Sequence, residues 1–125
     1  MILYNKLVRD NIPDIIQKSG KTPAFHTLSE NEYLTELDRK LSEECAEYLA
    51  DKSLEELADI LEVIYAICDA RGYSTSELES CRKAKAEKRG SFANRIYLEN
   101  VEDKNGTACI AFRLFLHRKY QQIYR

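Results

Sequence analysis

The chain has 125 residues, of which 32% are charged, and a formal net charge of -2 at pH 7. That length admits one compact domain with a modest core, and the charge gives no overall attraction for nucleic acid or an anionic membrane, so any phosphate binding has to be local. No apolar run approaches the roughly 20 residues needed to cross a bilayer, and Met1–Lys6 lacks the plan of a secretory signal, so the expected compartment is the cytoplasm.

In chain order, Asn11 is placed to cap a first helix from Ile12 to Ser19, with Pro13 tolerated in its first turn and Gly20 as the stop. Thr22–Leu28 is a short extended segment. Ser29-Glu30-Asn31-Glu32 forms a capping box that opens a long second helix to Ala50. Ser53-Leu54-Glu55-Glu56 repeats the box and opens a third helix, ended by Gly72, and Ser74-Thr75-Ser76-Glu77 opens a fourth, ended by Gly90. Arg95–Val101 then alternates apolar and polar residues as a strand does, and can pair with Pro23–Leu28. From Thr107, Ile110, Phe112, Leu114 and Leu116 fit a strand, while Phe112, Phe115, Leu116, Tyr120, Ile123 and Tyr124 fit a helix. The reading taken is a strand through Leu116 and a short helical tail. The expected architecture is mainly α, an antiparallel helical bundle with a small β-sheet of short strands. Residues 1–102 form the domain proper, and residues 103–125 are an extension packed on it.

Cys45, Cys68, Cys81 and Cys109 are far apart and form no C-x-x-C, which marks them as small buried or half-buried side chains. His26 and His117 are too isolated for a zinc site or a catalytic triad.

The acids of the second and third helices are less ordinary. At about 100° per residue, with Glu44 at zero, Leu37, Tyr48, Leu41, Leu34 and Cys45 fall between about 20° and 100°, so Glu44 borders the core stripe. Glu47 lies about 60° to the other side, at the edge of the solvated face. On the third helix Asp59 and Glu56 are flanked by Ala66, Val63, Ile67 and Ile60. In an antiparallel hairpin centred between Asp51 and Lys52, Glu47 stands level with Glu56 and Glu44 with Asp59, so four carboxylates face a common gap.

Such groups repel one another. No lysine or arginine of the hairpin follows them at i+3 or i+4 on the same face, so something else must neutralise them. Magnesium is the natural candidate, with manganese an alternative, because a small hard cation accepts a few carboxylates together with waters and substrate phosphates. Singly, each acid has a plainer explanation. Glu56 is the N3 residue of its capping box, Glu43 can pair with Arg39, and Glu47 can be a solvated charge. Together they read E-E-x-x-E followed by E-x-x-D on facing helices.

That pattern, Glu43-Glu44-Cys45-Ala46-Glu47 and Glu56-Leu57-Ala58-Asp59, resembles the MazG-like all-alpha nucleoside triphosphate pyrophosphohydrolases. The resemblance is nearest to a branch of predicted house-cleaning pyrophosphatases, similar also to phosphoribosyl-ATP pyrophosphohydrolase. It extends to "YNKLVRDNIPDII" from Tyr4, "SLEELADILEVIYAI" from Ser53 and "KAEKRGSF" from Lys85. It implies magnesium-dependent cleavage between the α and β phosphates of a nucleotide, with Glu44, Glu47, Glu56 and Asp59 as metal ligands. Glu43 would be a supporting acid or a base acting through water, which makes Glu43 and Glu44 the catalytic candidates. It also implies association through the helices, as a homodimer or homotetramer.

Phosphates call for cations besides the metal. Lys85, Lys88 and Arg89 match the basic stretch of the resemblance and are the expected phosphate contacts, while Lys6 and Arg9 anchor the first helix or shape the mouth of the pocket. Tyr48, one turn from Glu44, is the aromatic best placed to stack on a base. The alternatives are a phosphoribosyl-ATP pyrophosphohydrolase, a nucleotide-binding regulator with little turnover, and a non-catalytic helical interaction module.

Overall fold

A computed structural model describes residues 1–102 of the chain. Among these residues there are four helices: α1 (Ile12–Lys18), α2 (Glu30–Asp51), α3 (Leu54–Ala70) and α4 (Thr75–Arg89). Their starts follow from local chemistry. Ser29, Ser53 and Ser74 have extended backbones, and each hydroxyl accepts from an amide three residues on: Glu32 at 3.3 Å, Glu56 at 3.4 Å and Glu77 at 3.0 Å. Of these three, Ser74–Glu77 alone closes the reciprocal box, with the Ser74 N–H donating to Glu77 Oε2 at 2.7 Å. The Glu56 carboxylate is therefore not spent on its own helix end. Asn11 flanks α1 without capping it, because its helical φ, ψ of -87°, -4° does not swing the amide back over the first turn.

Only Lys52 and Ser53 separate α2 from α3. Lys52 makes the reversal in the left-handed region at φ 58°, donating its N–H to the Tyr48 carbonyl at 2.7 Å, while its ammonium lies 5.4 Å from the centre of the Tyr48 ring. So short a link forces the helices to run antiparallel and side by side, and α2 against α3 is the main packing of the unit, with α4 set more lightly on α3. The core is small: Leu37, Val63 and Cys68 are its buried apolar side chains among the described residues. Leu34, Leu41, Cys45 and Tyr48 of α2, and Ile60, Ala66 and Ile67 of α3, are half-buried around them, as the helical periodicity predicts. Cys81, expected to be covered, is exposed on α4. No described helix is long and apolar enough to cross a membrane.

The small β-sheet is absent among the described residues. Neither Thr22–Leu28 nor Arg95–Val101 forms a strand, and the described residues contain none. Alternation supplies a face but not an edge to pair with. Pro23 brings no N–H to a ladder, Arg95 at the start of the second segment is left-handed at φ 55°, and Ile96 and Tyr97 remain 84% and 89% exposed. The chain divides into a compact unit of Met1–Gly90 and a second beginning at Ser91. In the latter, the Arg95 N–H donates to the Phe92 carbonyl at 3.1 Å. The strand and helical tail expected after Thr107, the extension 103–125, Cys109 and His117 lie outside the described residues.

Candidate metal centre

The two-residue link brings acids from both helices to one place. Glu44 of α2 and Glu56 and Asp59 of α3 each offer a carboxylate oxygen, and these oxygens lie within 4.8 Å of one another. Glu44 is 6% exposed, the sole buried acid among the described residues, because it shares the face of α2 that carries Leu37. Glu56 and Asp59 are half-buried. Glu47 is exposed and stands outside this trio, though close enough to act on Glu56.

No lysine or arginine follows these acids at i+3 or i+4 on the hairpin, but cations that precede them in the chain neutralise part of their charge. Lys40 precedes Glu44 by one turn, and its ammonium lies 2.9 Å from Glu44 Oε1 and 3.3 Å from Glu43 Oε1. Two further cations come from the segment before α1: Lys6 Nζ donates to Glu43 Oε1 at 2.9 Å, and Arg9 Nη2 donates to Asp59 Oδ1 at 2.6 Å. Arg39, which the sequence also allows as a partner of Glu43, pairs with Glu36 at 2.6 Å. The Lys40 contact was visible in the sequence as a lysine at i-3 and i-4 from the acids. Lys6 and Arg9, 37 and 50 residues from their partners, carried no such signal.

The lysine contacts set the titration of Glu43 and Lys40. The bond from Lys6 holds Glu43 below the usual carboxylate value against the opposing effect of burial, with Lys40 adding to it. Burial pulls the Lys40 ammonium down, but its bonds to Glu44 and Glu43 outweigh that and raise it. Glu56 is pushed up, first by loss of hydration and then by the charges of Glu47, Asp59, Asp51 and Glu44.

Two oxygens remain unanswered: Glu44 Oε2 and Glu56 Oε2 are buried without a hydrogen-bond partner. A buried carboxylate oxygen left without a donor is costly, and polar atoms of this kind are ordinarily satisfied. The donor set is all hard oxygen, with no imidazole or thiolate, so it fits a magnesium-like cation better than zinc. Glu44, Glu56 and Asp59 are the residues that would hold it.

Lys85 and Lys88 are exposed on the last turns of α4 and make no ion pair among the described residues; Arg89, also exposed, ends that helix. Tyr48 is half-buried one turn from Glu44, with the Lys52 ammonium over its ring.

No known protein family and no solved structure matches the chain. Over 45 residues it is 56% identical to a protein of Mycolicibacterium smegmatis described only as uncharacterized. The similar stretch covers 36% of this chain and 46% of that protein, so the chain spans less than half of that relative's length.

Proposed function

We propose that the chain is a magnesium-dependent nucleoside triphosphate pyrophosphohydrolase of the MazG-like kind, with manganese able to replace magnesium. It cleaves the α–β phosphate bond to release a nucleoside monophosphate and pyrophosphate, as cytoplasmic house-cleaning of nonstandard nucleotides. One observation carries this reading: three carboxylates from facing helices converge, and two of their buried oxygens lack a donor, at positions of the E-E-x-x-E and E-x-x-D motif.

When bound, a divalent cation offsets phosphate charge and orients a water for in-line attack, chemistry that needs no protein nucleophile. Lys40 fixes one oxygen of Glu44 and leaves the other available for coordination. Glu43, tied to Lys6 and Lys40 and held below its usual pKa, acts as a supporting acid and not as the base. Glu47 serves at the rim beside Glu56. Lys85, Lys88 and Arg89 supply charge to the outgoing pyrophosphate, and Tyr48 borders the nucleoside. The working form is a homodimer or homotetramer: Leu54, Leu57 and Leu61 of α3 are 81%, 46% and 45% exposed, an apolar stripe that a second copy can cover.

A second reading is favoured by the ion pairs themselves. Lys40, Lys6 and Arg9 neutralise much of the acidity, which suits a non-catalytic helical module with no metal. Incubation with a panel of nucleoside triphosphates and magnesium separates the two. Monophosphate with pyrophosphate is the expected product pair, whereas diphosphate with orthophosphate, or no turnover, rejects the proposal. Glu44→Gln and Asp59→Asn are expected to cut turnover by at least about a hundredfold with the helical signal retained.

A further inference from the structure

We infer that Arg9 is a built-in counterion of the acid centre, exchanged on cation binding and thereby delivered to the phosphates of the nucleotide. The inference rests on the metal-centre reading above. Arg9 Nη2 approaches Asp59 Oδ1 to 2.6 Å, a charge-assisted bond to one of the two oxygens of a carboxylate belonging to the converging trio. An oxygen so engaged cannot give its full charge to a metal, and a guanidinium beside a divalent cation is repelled by it.

The pair is built to separate. The Arg9 and Asp59 side chains are 56% and 37% exposed, whereas those of Lys40 and Glu44 are 16% and 8% exposed and locked on one helix a turn apart. Arg9 also precedes α1, on a segment without regular structure that passes a left-handed Asn5 at φ 46°. Lys6, on the same segment, holds Glu43, which lies outside the trio, and so keeps the segment attached when Arg9 leaves. A released guanidinium at that place meets the ligand to which its planar fork is suited, the oxygens of a phosphate.

Opposite effects on two affinities follow. Manganese is titrated calorimetrically, without nucleotide, into the wild-type chain, Arg9→Gln and Arg9→Lys, and an α,β-methylene triphosphate is then titrated at saturating magnesium. Arg9→Gln is expected to bind the cation roughly two- to fivefold more tightly, the range for an exposed ion pair that no longer competes. The same variant is expected to bind the analogue about tenfold or more weakly, as a lost hydrogen bond between charged groups dictates. Arg9→Lys falls between in both and guards against a trivial folding defect. A folded Arg9→Gln whose cation affinity is unchanged or weaker, or whose analogue affinity is undiminished, overturns the inference. If the wild type binds and cleaves but Arg9→Gln matches it throughout, the inference alone fails; if the wild type binds no cation, the metal reading fails with it.

Discussion

Glu56 is where the demands on single residues collide. Its amide is capped by Ser53, yet its carboxylate is left half-buried among Glu47, Asp59, Asp51 and Glu44, with Oε2 unpartnered. Loss of hydration and then these like charges raise its folded pKa, so the ionised form is the one the fold disfavours. A raised carboxyl contributes stability that is present below its unfolded pKa and lost as pH rises through the folded one. In EDTA, Glu56→Gln is therefore expected to melt higher than the wild type above about pH 5 and to lose that advantage near about pH 4. Added magnesium is expected to raise the melting temperature of the wild type and not of this variant. Equal melting curves at every pH would show that the carboxylate is comfortable where it lies. The sequence made Glu44 legible as a core-edge acid because helical periodicity is a local rule. It offered Glu56 both as a ligand facing the gap and as the closing member of a capping box, because the box pattern reports which atoms can meet, not which do.

Among elements, all four helix positions were readable, since the serine caps of α2, α3 and α4 and the glycines after α1, α3 and α4 act within a turn of the chain, although Asn11 does not cap α1 as expected and α2 ends without a glycine. The sheet was not, because a strand is completed by a partner far away in sequence, and alternation at Arg95–Val101 says nothing of whether one arrives. The link between α2 and α3 shows how narrow the local rules are. Its left-handed position is filled by Lys52 where glycine is usual, and the contact of its ammonium with Tyr48 offsets part of the strain. Lys52→Gly removes that strain but also the ring contact and some rigidity of the unfolded chain. The net gain expected is about 0.5 kcal/mol in urea unfolding. A clear loss of stability would mean that the ring contact outweighs the backbone.

For the molecule as a whole, the paucity of buried side chains among the described residues matters most. A core of Leu37, Val63 and Cys68 is slight for a unit of this size, while Leu54, Leu57, Leu61 and Tyr65 share one exposed side of α3. Such a face is ordinarily covered. The wild type is accordingly expected to sediment as a dimer or tetramer and Leu61→Glu to shift toward the single chain. A wild type that is monomeric at all concentrations would remove the self-association from the proposal. The separation in sequence of the groups at the acid centre carries one more consequence. Glu44, Glu56 and Asp59 come together as soon as a hairpin with a two-residue link closes, a fast and local event, whereas Arg9 must arrive from 50 residues away. During assembly the like charges gather first, with Lys40 the one ammonium already on the hairpin that bonds them. On that ordering the amino-terminal segment is expected to dock late, onto a charge that the rest of the unit has already concentrated.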